Sequence, residues 1–151
     1  MPPWAERPAD EGHSPPAVRG SSASVSLVLA DTSVWVAHFR SGNAMLESLA
    51  AMDRVLCHPL IVLELACGTP PAPRERTLGD LRNLQQAIVA TTDEILALIE
   101  REPFRDSGCG AVDMALLACV LLTPDTLLWT IDKNLHALAA RLGVAFGAAS
   151  R

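Results

Sequence analysis

The chain has 151 residues, half of them hydrophobic, with 17 acidic against 12 basic side chains and a formal net charge of −5. That length fits one domain with a real core and is short for two, and the hydrophobic content excludes general disorder. No apolar run approaches the roughly 18 residues needed to span a bilayer, and the acidic balance excludes a protein that holds nucleic acid by charge alone.

Residues 1–24 are rich in Pro, Ser, Gly and charge without an apolar period, so they read as a disordered tail. The same stretch has no apolar h-region, which argues against a secretory signal and makes the cytoplasm the expected compartment. The folded domain is expected over residues 25–151. There "VSLVLA" is a short apolar run, the pattern of a buried strand, and it ends on Asp31. "TSVWVAHF" follows with helical spacing, Val34 facing His38 and Trp35 facing Phe39.

Asn43 is placed to cap a second helix, "AMLESLAAM", and "RVLC" reads as the next strand. Pro59 suits a first helical turn and Gly68 a helix end, framing "PLIVLELACG" as a helix. A further amphipathic helix is expected from Arg74 to Ala87, with Leu78, Leu81, Leu84 and Ile88 on one side, followed by a short strand "AIVA". Thr91 with Glu94 forms a capping-box pattern ahead of "ILALIE".

"REPFRDSGCG" is a loop, and "AVDMALLACVLL" is apolar nearly all round, a buried helix stopped by Pro124. "TLLWT" reads as a strand, "LHALAARLG" as a helix closing on Gly143, and "VAF" as a last strand. Strands alternating with helices imply crossovers, hence an α/β fold with a short central parallel sheet flanked by helices. Cys57, Cys67, Cys109 and Cys119 lack CxxC spacing and are expected as buried thiols, not disulfides or a zinc site.

Four acids stand out against this frame. In a parallel α/β sheet ligands bind beyond the carboxyl ends of the strands. Asp31 ends the first strand, and Asp132 follows "TLLWT" after Ile131, so both project from the same edge. Asp31 also suits the plain role of a helix cap. Glu64 sits among Leu, Ile, Val and Ala with no other polar residue between Pro59 and Cys67, and burying it ionised without a partner costs several kcal/mol. Its plain reading is the wet side of an amphipathic helix.

Asp113 opens the buried helix, where an acid complements the helix dipole; Gly108 and Gly110 before it permit close backbone approach. Four carboxylates with no His or Cys at ligand spacing define an all-oxygen site, suited to Mg²⁺ or Mn²⁺ rather than zinc. Such a cation would let an acidic surface bind a polyanion. Arg74, Arg76, Arg82, Arg101 and Arg105 are candidates for a substrate rim or for solvated surface, and Trp35 and Trp129 read as core.

"LADTSVW", the Glu of "VLELACG", "GCGAVDMALLA" and "LLWTIDKNL" together resemble the PIN-domain ribonucleases, specifically the VapC-type toxins of bacterial toxin–antitoxin pairs. The resemblance covers residues 27–146. It implies a single PIN-like domain, and Asp31, Glu64, Asp113 and Asp132 as the catalytic acids and ligands of Mg²⁺ or Mn²⁺. Thr32, Ser33 and Thr130 are implied as hydroxyls supporting the acids or touching substrate. It also implies an RNA substrate, such as tRNA or rRNA loops, a cognate antitoxin protein and a homodimer. Some members carry one more acid close behind the fourth, where this chain has Lys133, Asn134 and Leu135. The alternative from another class is a catalytically silent PIN-like module that binds RNA or protein; four intact acids argue against it.

Overall fold

The computed structural model describes residues 26–101 and 107–147; the expected tail over residues 1–24 and the middle of the expected loop, residues 102–106, lie outside them. β1 (Leu27–Ala30) forms from the first apolar run, with Val28, Leu29 and Ala30 buried. β2 (Val55–Cys57), β3 (Gln85–Gln86) and β4 (Thr126–Trp129) complete one sheet of order β3-β2-β1-β4, and every pairing is parallel. Parallel neighbours require crossovers, which helices supply here. α1 (Thr32–Ser41) and α2 (Ala44–Ala51) link β1 to β2, while α3 (Pro59–Cys67) and α4 (Arg74–Arg82) link β2 to β3. α5 (Thr92–Arg101) and α6 (Ala111–Leu122) precede β4, and α7 (Lys133–Arg141) follows it. The α/β architecture stands as expected.

The chain builds outward from β1 to β2 and β3, then crosses to the other side of β1 for β4. Strand order therefore reverses between β1 and β4, the point at which a parallel sheet opens a crevice beyond its carboxyl ends. Register fixes the crevice wall, since Ala30 lies opposite Trp129 and the Asp31 N–H donates to the Trp129 carbonyl at 2.9 Å.

Local chemistry sets the helix ends. Asn43 accepts from Leu46 N–H at 2.9 Å, and Thr91 and Glu94 form a reciprocal capping box, with bonds of 2.8 and 3.1 Å. α6 is buried without interruption from Met114 to Val120, as its all-round apolar sequence requires. Trp35 is buried in the core, and Trp129 is half-buried with its ring 5.0 Å from that of Phe146. Among the described residues no helix is long and apolar enough to cross a membrane.

Four expectations need correction. The helix expected to reach Ala87 stops at Arg82, because Gln85 and Gln86 are drawn into pairing with Leu56 and Cys57. "AIVA" is not a strand: its Ile88 and Ala90 N–H groups donate to Thr123 Oγ1 and Cys119 Sγ, so side chains of α6 and its end take the bonds a neighbouring strand would. "VAF" is one isolated bridge, its backbone clasping Leu128 alone through bonds of 2.7 and 2.9 Å. The four cysteines are free, but only Cys57 and Cys119 are buried; Cys67 is exposed and Cys109 half-buried. Burial pushes the Cys57 thiol up to about 11, which keeps it protonated and inert.

Leu117 is fully buried in α6. Leu117→Ala is expected to cost about 2–5 kcal/mol of unfolding free energy through lost burial and a residual cavity, read by urea denaturation; a cost below about 1 kcal/mol would contradict the packing of this helix.

Candidate active site

Asp31 leaves the end of β1 and is 5% exposed. Its Oδ1 accepts from Ser33 N–H at 2.9 Å, from Val34 N–H at 3.3 Å and from the Ser33 hydroxyl at 2.5 Å. The plain cap reading is therefore correct: Asp31 is the N-cap of α1. Ser33 Oγ also accepts from Ile131 N–H at 3.0 Å, and Thr130 Oγ1 accepts from Asp132 N–H at 3.0 Å. The two hydroxyls lie 3.4 Å apart and stitch the end of β1 to the end of β4. Burial pushes the Asp31 carboxyl above its ordinary value, opposed by hydrogen bonds from the Ser33 and Thr130 hydroxyls and the Val34 and Ser33 backbone.

Asp132 is the N-cap of α7, its Oδ1 accepting from Leu135 N–H at 3.0 Å, and it is exposed. Glu64 corrects the expectation of a carboxylate buried in apolar surroundings. α3 buries only Ile61 and Leu65, while Leu63 and Glu64 are exposed. The helix turns Ile61 and Leu65 into the core and leaves Leu63 in water. Glu64 nevertheless points toward α1, because the Thr32 hydroxyl donates to its Oε1 at 2.5 Å. α3 itself begins at His58, buried and N-capping through Nδ1, which accepts from Leu60 N–H at 2.9 Å.

Asp113 lies half-buried in the first turn of α6. Its carboxyl is pushed up first by burial, with a hydrogen bond from the Gly110 backbone opposing; the negative charges of Asp132, Asp31 and Glu64 then add to the rise, in that order. Asp132, Asp31 and Glu64 thus each lie within electrostatic reach of Asp113. Among the described residues, no three of them stand close enough as placed to enclose a metal ion. Glu64 and Asp132 are the exposed pair, whose rotamers are least constrained by packing.

Two neighbours escaped sequence reasoning. Cys109 lies beside the cluster, its thiol pushed up mainly by burial and further by Asp113 and Asp132. Its place four residues before Asp113 was the available signal. Asn134 covers Gly108, where φ is +86° and a Cβ would meet the amide nitrogen at 2.6 Å, so close approach is real there. Gly110 has open space around it and caps α6 without such a need. Of the candidate Arg rim, Arg74 donates to the Ala66 and Gly68 carbonyls at the end of α3, and Arg105 lies outside the described residues.

The sheet thus reverses its strand order beside Asp31 and Asp132, with Glu64 and Asp113 carried on crossover helices. A sequence profile for the PIN domain matches residues 28–141, and the chain belongs to the PIN-domain family, among its VapC-type toxin ribonucleases. It is 44% identical over 119 residues to ribonuclease VapC32 of Mycobacterium tuberculosis, in both strain CDC 1551 / Oshkosh and strain ATCC 25618 / H37Rv. The match spans 79% of this chain and 95% of each relative.

A carboxyl with a raised pKa in the fold contributes stability when protonated, present below its ordinary 3.8 and lost as pH rises through the raised value. Near neutral pH and without cations Asp113 is therefore a net burden. Asp113→Asn is expected to raise the melting temperature at pH 7 in EDTA, with the gain shrinking toward zero as pH falls to about 3.8. Scanning calorimetry across that range checks it; a variant that melts below the parent at pH 7 would contradict the coupling.

Proposed function

We propose that this VapC-type protein hydrolyses RNA phosphodiester bonds at the four-acid cluster with Mg²⁺ or Mn²⁺, acting in the cytoplasm on structured RNA such as tRNA or rRNA loops. The observation that carries the reading is geometric: Asp31 and Asp132 leave adjacent strand ends joined through Ser33 and Thr130, Glu64 reaches α1 through Thr32, and Asp113 opens α6. An all-carboxylate donor set suits a hard cation, and unrelieved repulsion among the acids favours binding one. The residues that would hold it are Asp31, Glu64, Asp113 and Asp132. When bound, the cation supplies the positive charge an acidic surface lacks toward a polyanion and lowers the pKa of water.

The chain's own groups prepare that chemistry. Ser33 and Thr130 fix Asp31 in one orientation, and Leu135 N–H does the same for one oxygen of Asp132. Thr32 aims Glu64 across from α3. Three helices, α1, α6 and α7, begin at this edge, and their N-terminal N–H groups favour anions, whether carboxylate or scissile phosphate. Attack by water leaves 5′-phosphate and 3′-hydroxyl ends and needs no ribose 2′-hydroxyl.

Such an activity requires a block inside its own cell, and a cognate antitoxin is the proposed partner. An Arg fork pairs bidentately with carboxylates and competes with a cation for the cluster. A groove between α1 and α4, lined by Trp35, Phe39, Leu81 and Leu84, and the exposed Met45 in α2 and Met52 at its end, supply apolar anchor points for a helix. A homodimer through helix faces belongs to the same proposal.

Cleavage mapping on total RNA tests the reading. Discrete 5′-phosphate ends are expected with Mn²⁺, none in EDTA, and a single 2′-deoxy substitution at the cleaved nucleotide should be tolerated. Asp31→Asn or Asp113→Asn is expected to lower kcat/KM by at least about a thousandfold, several kcal/mol of transition-state stabilisation. Cyclic-phosphate products or full activity in EDTA would overturn the mechanism. Copurification with the product of the neighbouring reading frame tests the partner; a harmless chain that no neighbour binds would overturn it.

A further inference from the structure

Beside the acid cluster the surface opens into a cavity of about 550 Å³ between α1, α3 and the turn that follows α3. Its walls are Val36 and Phe39 from α1, Leu65 from α3, and Pro70 and Pro71. Glu64 lines it too, so the cavity and the four-acid cluster share a wall. Thr32, Val36, Phe39 and Arg40 are spaced i, i+4, i+7 and i+8, which puts them on one face of α1. That face starts at the Thr32–Glu64 hydrogen bond and ends, about 12 Å along the helix, at Arg40. The groove therefore runs straight out from the acids, and a chain seated on the cluster has this cavity as its continuation.

Composition selects the occupant. Flat, apolar walls of Phe and Pro suit the face of an unpaired nucleobase. Among the described residues Arg40 is the one cation lining the cavity, exposed and without an ion-pair partner. In a chain of net charge −5, a lone guanidinium at the far end of an apolar slot calls for an anion, and the polymer whose scissile phosphate sits at the acids carries one per nucleotide. The volume lies within the range of ordinary ligand sites, roughly 300–1,000 Å³.

We infer that this cavity is the subsite for the nucleotide flanking the scissile bond, with its unpaired base against Phe39 and the Pro70–Pro71 turn and a backbone phosphate on Arg40. The inference rests on the ribonuclease reading and adds to it a source of sequence preference. Substrates are then single-stranded at that position, because a paired base does not enter. A peptide segment is the competing occupant, and among the described lining residues Glu64 is the one acid, so a basic segment finds no further attraction past the cluster.

The test measures binding of a short single-stranded oligoribonucleotide in Mg²⁺ buffer by fluorescence anisotropy. It uses the full chain carrying Asp31→Asn, so that hydrolysis does not confound binding. Arg40→Ala in that background is expected to weaken binding about tenfold and to lower the salt slope by about one, the signature of one lost phosphate contact. Arg40→Lys restores most of the affinity. Val36→Trp, which enlarges a half-exposed side chain at the mouth, weakens binding by a similar factor and, in otherwise unmodified protein, redistributes the cleaved positions.

Unchanged binding in both Arg40→Ala and Val36→Trp, in variants that melt with the parent, overturns the assignment. So does loss of antitoxin capture with RNA binding intact, which would make this a peptide site. Arg40-dependent binding by a chain that cleaves nothing with Mn²⁺ would refute the hydrolytic reading and leave the subsite standing.

Discussion

Carboxylates that share one edge of a sheet repel one another, and the repulsion grows as burial strips away water. Asp31 is almost wholly buried and Asp113 half-buried, so neither escapes into solvent, and both have raised pKa values with burial as the leading cause. A fold that keeps such a cluster must hold it against that force. Here the restraint comes from groups the acids themselves engage. Asp31 and Asp132 cap α1 and α7, so moving either away would strip a helix of its cap. Caps of this kind are typically worth about 1 kcal/mol each. The positive ends of three helices add a diffuse counter-charge. Capping and clustering are thus the same interaction seen from two sides, and the choice between a structural and a functional Asp31 dissolves.

The hydroxyls Ser33 and Thr130 extend this restraint across the sheet. Ser33 donates to Asp31 while accepting from Ile131, and Thr130 accepts from Asp132. With the Asp31-to-Trp129 backbone bond, they close the gap between β1 and β4 on which the strand order turns. Loss of either hydroxyl would leave a buried polar group of the acid cluster short of a partner, a more costly change than loss of a surface bond. α3 is restrained differently: its start is fixed by buried His58, whose neutral ring is maintained by burial, and its far acid is held by Thr32 alone.

Period and capping chemistry made most of the fold legible. α6 was readable because eleven of its twelve residues carry apolar side chains, and α5 because Thr91 and Glu94 announce its start. The short strands were readable where Val and Leu are concentrated, which is why β3 was missed: its two residues are Gln85 and Gln86, both exposed at the sheet edge. Neither carries an apolar signal, and the neighbouring "AIVA" carries one yet reaches β2 only through the Ala87 N–H, since Thr123 and Cys119 side chains accept from Ile88 and Ala90. Asp31 and Asp132 were placed by the rule that parallel sheets bind at their carboxyl ends. Glu64 was singled out for burial that it does not have; its partner Thr32 lies 32 positions away, and no local pattern announces that contact. The cavity lined by Arg40 was equally invisible, because it exists only where α1, α3 and the Pro70–Pro71 turn meet.

Coupling of Asp113 through space to Asp132, Asp31 and Glu64 is what the chemistry of this site depends on. Carbon-13 NMR titration of the side-chain carboxyls, with and without Mg²⁺, reads that coupling directly. In metal-free protein the Asp113 carboxyl is expected to titrate above its ordinary 3.8, and to fall well below that value when Mg²⁺ is present at millimolar concentration. An Asp113 that titrates at its ordinary value and ignores the cation would contradict the account.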